Sequence, residues 1–169
     1  MATAAGHAKR AKPLDADVFE RVLAIAAIIL LAFVFAALAR GFAYWDRIPA
    51  TVWGHLATII VALALTPVML LRKRGDWLHR RLGTIWVIAM IATALDSLLV
   101  RNANHGAFSI IHLLSLWVLV QVPIIWWSAR HHNVRQHRRS VRGMVTGALL
   151  IAGFFTFPFN RMLGQFLFG

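Results

Sequence analysis

The chain has 169 residues, 60% of them hydrophobic, with a mean hydropathy of +0.69. A soluble domain of this length has too small an interior to hide that much apolar surface, so lipid must cover part of it. The net charge of +12 would point to nucleic acid in a soluble protein; here the basic residues fall in short clusters between apolar runs, the pattern of membrane topology and anionic headgroups, which argues against a nucleic-acid partner. There is no cysteine, which excludes disulfides, iron–sulfur ligation and haem attachment through C-x-x-C-H, and leaves non-covalent haem open.

Five apolar runs follow in chain order: Val22–Ala39, Val52–Leu71, Leu82–Val100, Ala107–Trp127 and Gly143–Phe159. Each is near the roughly 20 residues that cross a hydrocarbon core as a helix, and each is bounded by Arg, Lys or a polar turn. They predict helices over about 18–40, 51–72, 79–101, 107–129 and 137–160, behind a flexible cytoplasmic tail at 1–17. A buried helix of a soluble bundle would carry a polar stripe, and these runs carry almost none. The expected fold is all-α, a single integral membrane domain of five transmembrane helices spanning 1–169.

The first run could be read as a cleaved signal peptide ending at Ala37-Leu38-Ala39. Its apolar core is too long, and Asp15, Asp17 and Glu20 occupy the flank that should be basic, so an uncleaved helix is expected. With five crossings, fourteen of the eighteen Lys and Arg residues fall on the side of the N-terminus, and Arg40, Arg47, Arg101 and Arg161 on the other. The heavy side is expected to be cytoplasmic, with the N-terminus inside, the C-terminus outside, and the chain a multi-pass membrane protein.

Eight histidines are many for so apolar a chain. His55 and His112 fall near the outer ends of the second and fourth helices, both roughly 6–8 Å in from the helix start. His79 and His137 fall at the inner starts of the third and fifth helices, again matched in depth. A b-type haem held between two helices needs one imidazole from each at equal depth, so the four side chains suggest two haems, their irons roughly 20 Å apart along the membrane normal. The stripe through His79 runs Gly83, Trp86, Met90, Thr93, Ser97, and Gly83 would let a flat macrocycle approach the backbone. The stripe through His55 runs Thr58, Ala62, Thr66. Arg72, Arg74, Arg80, Arg138 and Arg139 are candidates to pair with propionates.

Other readings stay open. Small residues serve helix packing, inner arginines serve topology, and histidines at helix ends cap carbonyls or meet headgroups. The outer residues His55, His105, His112 and Asp96 form an alternative site for zinc, copper or iron. Asp96, the only acid within an apolar run, can orient a ligating imidazole, carry a proton or pair with Arg101.

The segment Arg74-Gly75-Asp76-Trp77-Leu78-His79-Arg80-Arg81-Leu82-Gly83 resembles the signature of a bacterial family of predicted multi-helix membrane proteins of unknown function. His55, Ser97, His112 within Ile110–Ser115, the stretch Ala129–Val134 and His137-Arg138 extend the resemblance over residues from about 50 to 165. It implies a fold and a set of histidines, with no established activity. The cross-pairing of the second helix with the fourth and the third with the fifth is similar in arrangement to the ascorbate-reducible diheme cytochrome b family, which implies transmembrane electron transfer.

Sequence therefore points to a haem b protein moving electrons from a quinol or small reductant to an acceptor, with His55 and His112 on an outer haem and His79 and His137 on an inner one. The alternatives are a non-catalytic accessory subunit of a larger respiratory or photosynthetic membrane complex, suggested by seven Trp and eleven Phe, and a metal-binding membrane protein using the outer histidines and Asp96. There is no Walker loop, nucleophile elbow or H-E-x-x-H helix.

Overall fold

The computed structural model describes residues 15–99 and 110–169. Within them every regular element is helical. Helix α1 (Val18–Arg40) opens on a reciprocal cap: Asp17 accepts from the Glu20 amide at 3.0 Å, and Glu20 accepts from the Asp17 amide at 3.2 Å. A 3-10 turn (Phe42–Arg47) leads to α2 (Ala50–Leu71). A tight connection, turned by Gly75 in the left-handed region at φ 84°, leads to α3 (Trp77–Leu99). Helix α4 (Ile110–Arg130) follows, and then α5 (Val134–Met144), which continues as a π-helical stretch (Val145–Ile151) and a last α turn, α6 (Ala152–Phe154). A short helix α7 (Met162–Phe168) closes the chain.

Among the described residues four helices are long and apolar enough to cross a membrane: α1, α2, Trp77–Leu98 of α3 and His112–Arg130 of α4. They expose apolar side chains freely, among them Ile25, Ile28, Phe33, Ile88, Leu113 and Val120, as helices against lipid do. Their contacts with one another run through small residues: Ala24, Ala27 and Ala62 are fully buried, which lets the backbones approach closely.

Successive helices are antiparallel neighbours. Leu56 packs with Val34, Ala37 and Leu38, joining the start of α2 to the end of α1. Between α2 and α3, Trp86 Nε1 donates to Thr66 Oγ1 at 3.0 Å, and Thr93 Oγ1 donates to Thr58 Oγ1 at 2.8 Å. Between α4 and the last segment, His137 meets Ile125, and Gly147 lies against the Trp117 ring.

The fifth run departs from one uniform apolar helix over 137–160. Helix α5, which opens this segment, carries Arg135, Arg138, Arg139 and Arg142, too much charge for lipid. The apolar helix left, from Gly143 to Phe154, rises only about 18 Å against a hydrocarbon core of roughly 30 Å. The left-handed residues Phe159 and Asn160 then turn the chain into α7. Even so, the segment accompanies α1 along its length and in the same direction. Arg138 and Arg142 meet Glu20, Gly153 packs on Leu30, Phe157 meets Phe33 edge-on, and Phe166 lies over Gly41.

One ionic cluster ties these elements together. The Glu20 carboxylate, only 1% exposed, is met by Arg74 at 2.5 Å, by Arg138 at 2.9 and 3.0 Å and by Arg142 at 3.1 and 3.2 Å. Asp17 reinforces it by pairing with Arg138 at 3.3 Å and with Arg142. Removing one member of a buried ion cluster leaves the others desolvated and uncompensated. Glu20→Gln should lower the unfolding free energy by about 3 kcal/mol. Arg21→Gln, at the exposed neighbouring position, should stay within about 0.5 kcal/mol of wild type. Denaturant unfolding in detergent micelles measures both.

Candidate functional site

At the end of the bundle where α1 begins, the five segments leave a central cavity of about 370 Å³, within the size range of small-molecule sites. Thr66 and Met69 of α2, His79, Gly83 and Trp86 of α3, Ile125 and Ala129 of α4 and His137 and Val141 of α5 form its walls. Glu20 contributes from α1. The deeper side is apolar or internally satisfied: Trp86 Nε1 bonds Thr66, whose hydroxyl in turn donates to the Ala62 carbonyl at 2.8 Å.

His79 reaches the cavity from the first turn of α3. Asp76 caps that turn, accepting from the His79 amide at 2.6 Å while paired with Arg72 at 2.6 Å. The His79 Nδ1 is buried and has no hydrogen-bond partner. His137 of α5 lines the same cavity. Helix α4 ends on His132 in the left-handed region at φ 54°, Asn133 accepts from the Gln136 amide at 3.1 Å, and α5 starts there. His137 Nδ1 is 3.1 Å from the Ile125 carbonyl oxygen. A carbonyl only accepts, so Nδ1 carries the proton, and a neutral His137 keeps its lone pair on Nε2, the arrangement common in metal-ligating imidazoles.

The mouth is cationic. Arg74, Arg80, Arg130 and Arg138 line it. Arg74 and Arg138 hold Glu20, Arg80 donates to the Gly75 carbonyl at 2.8 Å, and Arg130 stacks over the Trp126 ring at 4.7 Å. Of the arginines that sequence put forward for propionates, Arg72 is paired with Asp76, and Arg139 opens onto a surface groove rather than the cavity.

A b-type haem held between two helices takes one imidazole from each. Two imidazoles share one cavity, one has its tautomer set by a backbone carbonyl, and the other has an orphaned buried nitrogen. Gly83 lies one turn after His79, and the end of the Met69 side chain occupies the space beside it, 3.2 Å from where a Cβ would stand.

The outer histidines are arranged differently. The His55 ring lies against the Thr93 carbonyl and in the field of Asp96, so it faces α3. Its Nδ1 and the Asp96 Oδ2 are both buried without a hydrogen-bond partner, and Asp96 packs over Gly54. His112 is buried, 8% exposed, near the start of α4. His105 and Arg101 lie outside the described residues. Among the described residues no three His, Asp or Glu side chains gather as a metal-binding group.

Glu20 is the residue that reading the sequence for histidines passes over. Its signal was present as the Asp17-x-x-Glu20 spacing ahead of an apolar run, with acids in an otherwise basic flank.

Asp76 matters because it positions His79. Its bond to Arg72, and then the His79 amide, hold its carboxyl below the ordinary 3.8. A depressed carboxyl contributes stability that is complete above the unfolded value and is lost as pH falls through the folded one. Thermal melts should therefore lose stability progressively below about pH 4, and Asp76→Asn should shrink that acid limb while lowering stability at neutral pH.

Comparison with protein-family models, with curated proteins and with solved structures finds no match, so the geometry itself carries the functional reading.

Proposed function

We propose that this chain is a multi-pass protein of the bacterial inner membrane that binds b-type haem and moves electrons between a quinol or small reductant and an acceptor. The observation that carries the reading is that His79 and His137, from helices not adjacent in sequence, line one central cavity. Five crossings, with the N-terminus in the cytoplasm and the C-terminus outside, are supported by the way Val134–Phe168 accompanies α1 and by the bias of Lys and Arg to the end where α1 begins.

His79 and His137 are the residues that would hold the inner haem. When bound, haem supplies a one-electron carrier whose potential depends on its ligands, its burial and nearby charge. The chain's own residues do the rest. The Ile125 carbonyl orients His137 and raises its basicity as a ligand. Trp86, Val87 and Val141 exclude water from the deep side. Arg80 and Arg130 offer charge for carboxylates at the mouth, while Arg138 acts through Glu20 to hold α5 and its histidine in place. His55 and His112 would hold an outer haem, with Asp96 of α3 in the surroundings of His55.

The test is the absorption spectrum of protein purified after expression with ample haem. Wild type should be red and give a reduced-minus-oxidised band of low-spin haem b. His79→Ala or His137→Ala should remove the inner haem, and His112→Ala should remove the outer haem alone. Gly83→Leu keeps all four imidazoles and should still lower haem content by filling the inner cavity. Colourless wild-type protein sinks the proposal.

A further inference from the structure

A second basic feature lies at the same end of the bundle, outside the central cavity. An open groove of about 600 Å³ runs along α5, lined by Asp17, Val134, Arg135, Arg138, Arg139 and Arg142. The spacing 135, 138, 139, 142 puts four guanidinium groups on one helix face. Two of them, Arg138 and Arg142, are fixed by Asp17 and Glu20. Arg135 and Arg139 are exposed and reach neither acid. Two carboxylates cannot neutralise four arginines, so the groove keeps a surplus of positive charge held on a rigid backing.

Its depth relative to the bilayer is marked by the aromatic side chains around it. Trp77 and Trp127 are exposed at this end, and Arg81 stacks on Trp77 at 4.2 Å. Phe19, where the exposed apolar side of α1 begins, lies under Arg142 at 5.7 Å. Tryptophans of this kind gather at the headgroup level of membrane helices. A phosphodiester at Arg135 and Arg139 would therefore sit at headgroup depth, with its acyl chains directed along the apolar flank that starts at Phe19.

We propose that this groove is a binding site for an anionic phospholipid of the adjacent leaflet, its phosphate taken by Arg135 and Arg139 and its place set by the anchored Arg138 and Arg142. Charge complementarity selects the class of ligand, since a zwitterionic headgroup would bring its own cation against four arginines. The site does not depend on haem. It joins lipid binding to the contact that fastens α5 to α1.

The full-length protein is reconstituted in nanodiscs containing equal amounts of phosphatidylglycerol and phosphatidylcholine, and the lipids retained on release are counted by native mass spectrometry. Wild type should retain phosphatidylglycerol in preference to phosphatidylcholine. The double variant Arg135→Gln/Arg139→Gln, which leaves the Glu20 cluster intact, should weaken that retention by about twenty-five-fold, about fivefold for each arginine near the surface. Lys73→Gln/Arg81→Gln removes the same charge elsewhere at this end and should leave retention unchanged. Equal retention of both lipids, an unaffected double variant, or an equal loss in the control would overturn the site. So would displacement of the lipid by millimolar inorganic phosphate, which would make it a free-anion site instead.

Discussion

A single buried carboxylate organises one end of this protein. Glu20 stands in the first turn of α1 and gathers guanidinium groups from the α2–α3 connection and from two successive turns of α5. These partners lie far apart in sequence, with Arg138 and Arg142 separated from Glu20 by 118 and 122 positions. At a membrane boundary, where apolar contact between helices gains little over contact with lipid, directional ionic bonds of this kind specify which helix stands beside which. The cluster carries more positive than negative charge, and that surplus leaves the α5 groove basic.

The central cavity follows from the same arrangement. Fastening α5 to α1 closes the circuit of helices, and His137 is thereby turned toward the wall that carries His79. Each histidine is also set locally: one by the Asp76 cap that starts α3, the other by the Asn133 cap and the Ile125 carbonyl. Local capping places each imidazole near the start of its helix, and the ion cluster holds α5 beside α1. A site built this way is sensitive both to loss of a cap and to loss of Glu20, although neither residue need touch a ligand.

The opposite end is held by other means. There Trp45 donates to the Leu38 carbonyl at 3.1 Å and meets Trp53 edge-on, α7 packs Leu163 and Phe166 against the last turns of α1, and hydroxyl groups link α2 to α3. His55 and Asp96 carry unsatisfied buried atoms in that region. An apolar, aromatic end and a charged end suit a bundle whose two faces meet different surroundings.

The existence and approximate limits of α1 to α4 were legible in the chain, because about 20 apolar residues between basic clusters have one economical conformation in lipid. That His79 and His137 stand in the first turns of their helices was legible too. Which faces meet was not. These helices are apolar on the lipid side and on the protein side alike, so the hydrophobic period that orients a soluble helix is missing, and rotation about the helix axis is left to specific bonds. Only the tertiary structure could turn His55 toward Asp96, join Glu20 to arginines more than a hundred residues away, and continue the charged α5 into a π-helical stretch followed by a separate α7 laid along α1.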